Sequence, residues 1–208
     1  MKLKKCKSCG SEFLPRYNTT QQVCSQSCAI KLGREKQAAK AKKEHSQQKK
    51  KFKQGDLRWT KFKLQQTVNA IVRAIDKDLP CLATGKHSGQ MQAGHVFSRG
   101  AHPQMRFNLH NIHRQTAYSN NQQSHDALMQ ERLAEEYGVD YLDHLKQLRG
   151  SQPPKLTAYD YYEAHLRGLK VLKGLSQLEQ QGPEERVQLR DKVNSALGIY
   201  PPDILQFR

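Results

Sequence analysis

The stretch Met91-Gln92-Ala93-Gly94-His95-Val96-Phe97 opens the segment on which the rest of the chain is organised. A loop with Arg99, Gly100, His102 and Pro103 follows, then Arg106-Phe107-Asn108, Asn111-Ile112-His113-Arg114-Gln115 and Asn120-Asn121-Gln122-Gln123-Ser124-His125. Gln90 to Phe97 reads as a short strand ending near His95. Gly100 and Pro103 punctuate the loop, and Asn111 to Gln115 reads as the returning strand. Helix potential resumes near Ser119 and runs to about Tyr137, with Leu128, Met129 and Leu133 inward. Strand, loop, strand and helix make one compact ββα unit. It would bring His95, Asn111 and a helix residue, Asn120 or His125, to one point. Five of the nine histidines (His95, His102, His110, His113, His125) lie in this segment. A neutral imidazole can take a proton from water near pH 7. Asparagine and histidine can orient that imidazole or bind a divalent ion, which stabilises charge developing on phosphate. The segment therefore suits metal-assisted phosphodiester chemistry. His102 and His110 suit loop or phosphate contacts, and Arg99 and Arg106 can hold phosphate.

Charge is distributed unevenly around this segment. Residues 1–63 carry 18 Lys and Arg against Glu12, Glu35, Glu44 and Asp56, whereas the remainder carries 17 against 15. An excess of that size implies an anionic partner along the N-terminal third, and nucleic acid is the default. No apolar run approaches the roughly 18 residues of a membrane span. The first lysines are not followed by an apolar stretch, so no signal peptide is expected, and a cytoplasmic protein is. Four of the five cysteines are clustered, which favours metal over disulfides.

Cys6-Lys7-Ser8-Cys9 and Cys24-Ser25-Gln26-Ser27-Cys28 form two hooks separated by 14 residues. Four thiolates so spaced can surround Zn²⁺ tetrahedrally and leave no open position for catalysis. Phe13, Pro15, Tyr17 and Val23 would add a small apolar layer. So small a unit cannot bury a sufficient core, and the metal would supply folding energy on the order of 10 kcal/mol. From Ala29 to Lys53 the chain is rich in lysine and alanine and free of proline, which suits a long helix without a sustained apolar face. Its Lys40, Lys42, Lys43, Lys49, Lys50, Lys51 and Lys53 suit a DNA backbone, adding affinity but little sequence information. The bland alternative is a solvated helix or linker.

Asp56 can cap a second helix over about Leu57 to Asp76, on which Trp59, Leu64, Val68, Ile71, Val72 and Ile75 recur at helical spacing. This reading places Trp59 in the core. Beyond Gly138, Asp140 starts a short helix with Leu142, Leu145 and Leu148. Gly150 to Pro154 reads as a linker. Thr157 and Asp160 form a capping box before Leu166, Leu169, Leu172 and Leu175, with Gly168 and Gly174 weakening the helix. Tyr159, Tyr161 and Tyr162 are expected to pack. Pro183 suits the first turn of a last helix to about Leu197, and this helical tail can dock on the core or pair with a second subunit. The expected class is α+β, mostly helical. The expected divisions are a zinc knuckle (1–28), a basic helical arm (29–56), a ββα core with flanking helices (57–150) and a helical C-terminal tail (151–208).

Gly94-His95, Arg106-Phe107-Asn108, Asn111-Ile112-His113 and Asn120 together resemble the HNH (ββα-metal) nucleases, most closely the phage NinG (Rap) recombination endonuclease family. The resemblance extends back through Asp76-Lys77-Asp78-Leu79-Pro80-Cys81 to the cysteine knuckle and covers roughly residues 1–125. It implies a structure-specific endonuclease acting on Holliday junctions and D-loops in phage recombination, using Mg²⁺ or Mn²⁺ beside the structural Zn²⁺. It implies His95 as general base, Asn111 as the residue orienting it, and Asn120 as the helix metal position. Two departures stand out. The family usually has a second four-cysteine zinc site, but here only Cys81 remains, with Thr84, Thr116 and Ser119 in place of the other thiolates, so that zinc is expected to be absent. The residue before the base histidine is often a metal ligand; here it is Gly94, and Gln92 stands where some relatives have aspartate. His125 or His113 could supply the missing ligand.

Three functions therefore compete. One is a divalent-metal-dependent endonuclease on branched DNA, for which a homodimer would suit two symmetric cuts. Another is a branched-DNA-binding protein whose nuclease unit has decayed. The third is an RNA-binding zinc protein.

Overall fold

The computed structural model describes residues 2–18, 20–122, 125–175, 179 and 181–201, with the side chains of Lys53 and His125 outside that description. The chain divides into two compact units, residues 1–53 and 54–208.

In the first unit, β1 (Lys4–Lys5) pairs antiparallel with β2 (Glu12–Phe13). The reversal between them needs Gly10, whose φ of +77° lies in the left-handed region where side chains are strained. Pro15 is buried, but Tyr17 is 87% exposed, so the expected apolar layer lacks that ring. The helix α1 (Gln26–Gly55) starts three residues earlier than expected and is exposed along nearly its whole length. Its lysines meet solvent on every side, as a helix without an apolar face requires.

The second unit begins with α2 (Leu57–Ile75). Asp56 caps it, accepting from the backbone N–H of Arg58 at 2.8 Å and of Trp59 at 3.0 Å. Its Leu64, Val68, Ile71 and Val72 are fully buried. Trp59 departs from expectation: it is only partly buried, at the surface, and outside the core. The strand β3 (Met91–His95) pairs antiparallel with β4 (Ile112–Thr116), with His95 opposite Ile112 and Gly94 opposite His113. The expected single helix after the hairpin is divided into α3 (Ala117–Asn120), capped by Thr116, and α4 (His125–Tyr137). Then come α5 (Val139–Gln147), α6 (Ala158–Leu175) and α7 (Pro183–Leu197). The capping box forms as read, Thr157 N–H donating to Asp160 at 2.8 Å and Asp160 N–H to Thr157 Oγ1 at 3.3 Å.

Two apolar clusters flank the hairpin. One joins α2, α6 and α7 to Ala93, Phe107, Leu109 and Ile112. The other joins Cys81, Val96, Phe97 and Met105 to Met129 and Leu133 of α4 and Leu142 and Leu145 of α5. Of the two arrangements open to the helical tail, docking on the core is the one seen, because α6 and α7 complete the core. Gly168 shows why a glycine sits inside α6: a Cβ there would lie 2.7 Å from Thr67 Cγ2 and 3.2 Å from Leu197 Cδ2. From α7, Arg190 donates to both oxygens of Asp76, at 2.7 and 2.8 Å, with both side chains fully buried. The class is mostly helical α+β, with two small two-stranded sheets. Among the described residues no helix is long and apolar enough to cross a membrane.

Candidate active site and metal centre

The four sulfur atoms of Cys6, Cys9, Cys24 and Cys28 lie within 4.8 Å of one another. The Cys9–Cys24 and Cys24–Cys28 separations are 3.6 and 3.7 Å. A tetrahedron with Zn–S near 2.3 Å has an edge of about 3.8 Å, so the sulfurs already stand at metal-ligand spacing. Their protonation needs a cation as well. Backbone N–H groups, chiefly that of Cys9, lower Cys6 to about 6, while Cys9 and the other nearby sulfurs push Cys24 up to about 12. Four thiolates cannot ionise together at this spacing unless a positive ion sits among them. The donor set therefore fits Zn²⁺, held by the residues that the hook spacing selected.

The second site is a cleft of about 1070 Å³ between α2, the hairpin and the start of α4. His95, Gln92, Ser98, Arg99, Gln115, Asn120 and Asp126 line it, with Asn69 and Arg73 of α2. His95 Nε2 lies 2.9 Å from the carbonyl oxygen of Arg106. A carbonyl only accepts, so Nε2 carries the proton and Nδ1 keeps its lone pair. Among the described residues nothing hydrogen-bonds Nδ1. Burial, reinforced by the charges of Arg99 and Arg106 and opposed by the Arg106 carbonyl, lowers the His95 pKa to about 4. The ring is thus neutral at physiological pH.

Asn111 is fully buried and, among the described residues, its side chain bonds the loop backbone and not His95, so an orienting role would run through the loop. Its Oδ1 accepts from Phe97 N–H at 2.8 Å, and its Nδ2 donates to the carbonyls of Phe97 at 2.9 Å and Met105 at 3.3 Å. It clamps the loop between β3 and β4, and that loop carries Ser98, Arg99 and the Arg106 carbonyl. The same loop is held from the C-terminal side. Asn194 accepts from Leu109 N–H at 3.0 Å, and the Tyr200 hydroxyl accepts from Phe107 N–H at 3.0 Å. Arg106 itself turns away from the cleft, donating to Gln65 at 3.1 Å and lying over the Phe107 ring. Its guanidinium does not line the cleft, and the group it presents to His95 is its carbonyl.

His113 is also corrected. It is fully buried between the carbonyl of His110 (2.9 Å) and Arg190 (3.1 Å), so it cannot reach an ion in the cleft. His110 is buried between the Tyr141 hydroxyl and Asp191 rather than in a phosphate-facing loop. The His125 side chain lies outside the described residues, as does that of Lys53. Asn120 lines the cleft and donates to Gln92 Oε1 at 3.0 Å. Gly94 explains part of the donor set. A Cβ there would lie 1.8 Å from Gln115 Oε1 and 3.0 Å from Asn120 Oδ1. Two amide oxygens therefore converge in the space where a side chain at 94 would stand. With exposed Asp126 they offer hard oxygen donors, the kind Mg²⁺ and Mn²⁺ accept.

Sequence reading missed Gln115, Asp126, Asn69 and Arg73. Asp126 left a signal, since residues 79–125 contain no Asp or Glu and it is the first carboxylate after them. Asn69 and Arg73 also left one, as polar residues one turn apart in the otherwise apolar second half of α2.

Where the second zinc site was expected to be missing, Cys81 is buried in a hydrogen-bonded cluster. Its sulfur accepts from Thr116 N–H at 3.4 Å and Thr116 Oγ1 at 3.8 Å. Among the described residues, the only group of three or more His, Cys, Asp or Glu placed to hold an ion is the N-terminal cysteine set.

A family model described as Bacteriophage Lambda NinG protein matches residues 1–179. The chain belongs to the NinG family. Among curated proteins, protein ninG of Escherichia phage lambda is 46% identical over 67 residues, 32% of each chain. Protein ninG of Salmonella phage P22 is 38% identical over 90 residues, 42% of this chain and 44% of that protein. Protein ninG of Enterobacteria phage H19B is 45% identical over 67 residues, 32% of this chain and 33% of that protein. These alignments thus span a third to under a half of the relatives' length. No solved structure matches the chain. The NinG match takes in the cysteine centre, α1, the cleft and α6, and leaves α7 outside it.

Proposed function

We propose that this NinG-family chain is a divalent-cation-dependent DNA endonuclease of the HNH type, acting on branched recombination intermediates such as Holliday junctions and D-loops. The observation that carries the proposal is the 2.9 Å contact of His95 Nε2 with the Arg106 carbonyl oxygen. A carbonyl only accepts, so Nε2 carries the proton there, and Nδ1, which has no hydrogen-bond partner among the described residues, is the atom able to take a proton in the cleft. In the proposed reaction Nδ1 removes a proton from water as the water oxygen bonds to phosphorus. The bond from phosphorus to the leaving ester oxygen breaks, and that oxygen takes a proton from solvent. Arg99 and Arg73 attract the phosphate. A bound Mg²⁺ or Mn²⁺, held through Asn120, Gln115 and Asp126, would supply Lewis-acid stabilisation of the negative charge. Amide donors and one exposed carboxylate suit an ion that keeps several waters and completes its shell with substrate phosphate.

A pKa of about 4 makes His95 a weak base in the free protein. An arriving phosphate offsets the charge of Arg99 and raises the proton affinity of the ring. The acid limb of kcat/KM should therefore fall near pH 4, and that of kcat at higher pH. The lysines of α1 would add backbone affinity and salt dependence.

The test compares a labelled four-way junction with matched linear duplex, in Mg²⁺, Mn²⁺ or chelator. Metal-dependent nicking of the junction that falls roughly 10²–10⁴-fold in His95→Ala is expected. Nicking unchanged in that variant would remove His95 as the base. A second reading, a DNA-binding module without activity, is motivated by Gly94 and by the absence of a carboxylate from residues 79–125. It predicts junction binding with no cleavage in either metal.

A further inference from the structure

Helix α2 holds four basic residues, Arg58, Lys61, Lys63 and Arg73, and no acidic one. Its open face runs through Arg58, Phe62, Gln66, Asn69 and Arg73, spaced three or four residues apart and so aligned along one side. At one end of this face, Asn69 and Arg73 line the cleft beside His95. At the other end, Trp59 of α2 faces Tyr162 of α6, with ring centroids 6.3 Å apart and planes 27° from parallel. The two rings, both partly exposed, wall a groove of about 380 Å³. The ammonium of Lys63 lies 6.0 Å from the centre of the Trp59 ring. His165 lines the groove too, pinned by the Thr67 hydroxyl at 2.7 Å. Phe62, next to Trp59 on the open face, is 56% exposed.

The core does not require these rings. Leu64, Val68, Ile71 and Val72 already seal α2 against its neighbours. A pair of surface aromatics with a cation over one of them is instead the chemistry that holds a nucleobase by its face. The acids of α6 nearest in sequence, Asp160 and Glu163, do not line the groove. From residue 59 to residue 73 the helix advances about 21 Å, roughly the length of six stacked nucleotides.

We propose that α2 carries a DNA strand away from the cleft and that Trp59 and Tyr162 stack an unpaired base of that strand. The proposal rests on the reading of the cleft as the place of the scissile phosphate. A paired base inside a duplex has both faces covered by its neighbours, so this groove selects DNA that is single-stranded a few nucleotides from the cut. Open junction centres, flaps and gaps have that form. Continuous duplex does not.

Trp59 is the only tryptophan of the chain, so its fluorescence reports the groove directly. The full zinc-bound chain is titrated with a short oligothymidylate without divalent metal, beside a blunt hairpin duplex of equal phosphate content. Binding is followed in parallel by anisotropy of a labelled oligonucleotide. The oligothymidylate should quench Trp59 strongly and the hairpin should leave it nearly unchanged. Tyr162→Leu should weaken oligothymidylate binding roughly five- to a hundredfold and reduce the quenching. Lys63→Gln, which leaves both rings in place, should also weaken binding. Bound oligothymidylate with unchanged Trp59 emission would overturn the proposal, and so would equal quenching by the hairpin. Full affinity in both variants would do the same. His95→Ala separates the two readings, because it should slow cleavage roughly 10²–10⁴-fold yet quench as wild type does. Quenching without cleavage in any metal would remove the nuclease reading and leave the stacking groove standing.

Discussion

Replacing Asn111 tests whether a residue that never touches the cleft controls it. Alanine removes three hydrogen bonds, to Phe97 N–H (2.8 Å), the Phe97 carbonyl (2.9 Å) and the Met105 carbonyl (3.3 Å). A buried polar backbone group left without a partner costs about 1–3 kcal/mol. The two short bonds dominate and the longest contributes least, so Asn111→Ala should lose about 3–5 kcal/mol. Asn111→Asp sharpens the test. It keeps the acceptor facing Phe97 N–H but turns the donor into a second oxygen facing two carbonyls. The buried carboxylate would have a raised pKa, so its penalty is largest at neutral pH and shrinks as pH falls and the group protonates. Urea unfolding of the zinc-bound chain at pH 7.5 and pH 5, each relative to wild type, reads both effects. Because the clamped loop carries the Arg106 carbonyl that orients His95, kcat should fall more than KM rises. A loss under 1 kcal/mol for Asn111→Ala would refute the clamp, as would an aspartate penalty independent of pH.

Four other outcomes follow from the same geometry. Burial lowers His110 to about 4 and His113 well below its ordinary value, so both stay neutral in the fold while the unfolded chain gains protons below about pH 6.5. Stability should therefore fall as pH drops from 6.5 toward 4, by on the order of 2 kcal/mol per histidine at pH 5, and a melting temperature equal at pH 7.5 and pH 5 would contradict it. Arg190→Met strands the buried Asp76 carboxylate and should cost about 3–5 kcal/mol; adding Asp76→Leu should recover most of the loss, whereas a double variant as unstable as the sum would show that the two are not a pair. Chelation should release one Zn²⁺ per chain and expose the amides of residues 2–25 to hydrogen exchange, while the unfolding transition of residues 54–208 stays unchanged. Paramagnetic broadening by Mn²⁺ at Asn120 and Gln115 should be weak in His95→Ala alone and strong once junction DNA is added; equal broadening in both states would mean that the cleft holds its ion without phosphate.

Much of the fold was legible because local chemistry set it. Asp56 and the Thr157–Asp160 pair cap helices where their side chains can reach backbone N–H groups, and the two cysteine hooks meet as their spacing requires. His95 and Asn120 reach the same cleft, as the strand–loop–strand–helix order implied. What failed was long-range. Nothing local to His113 or Arg106 reveals that Arg190, 77 residues further on, seals one, or that Gln65 draws the other from the cleft. Trp59 fits the apolar period of α2, and period alone cannot tell a ring at the margin of the stripe from one at its centre. Whether the tail docks on the core or on a second subunit was not legible, because its leucines carry no mark of what they pack against. Gly168 was the one clue, since a glycine inside a helix often marks a close neighbour.

The cleft and the residues that support it use charge in opposite ways. Behind the hairpin, arginines are buried against carboxylates: Arg190 on Asp76, and Arg114 and Arg186 on Glu136. Among the described residues of the cleft the fixed charges are Arg73, Arg99 and exposed Asp126, and the other polar side chains are His95, Ser98 and neutral amides. A carboxylate beside His95, the usual way to hold an ion, would also repel phosphate before an ion arrived. With Gly94 there, and the oxygens of Gln115 and Asn120 filling its space, the cleft presents cations to a polyanion with little local repulsion. On the proposed reading, DNA binding then creates most of the affinity for the divalent ion. On the same reading, a chain with a basic helix and an α2 whose charged residues are all basic would engage DNA widely, yet assemble its reactive charge only where a strand has entered the cleft.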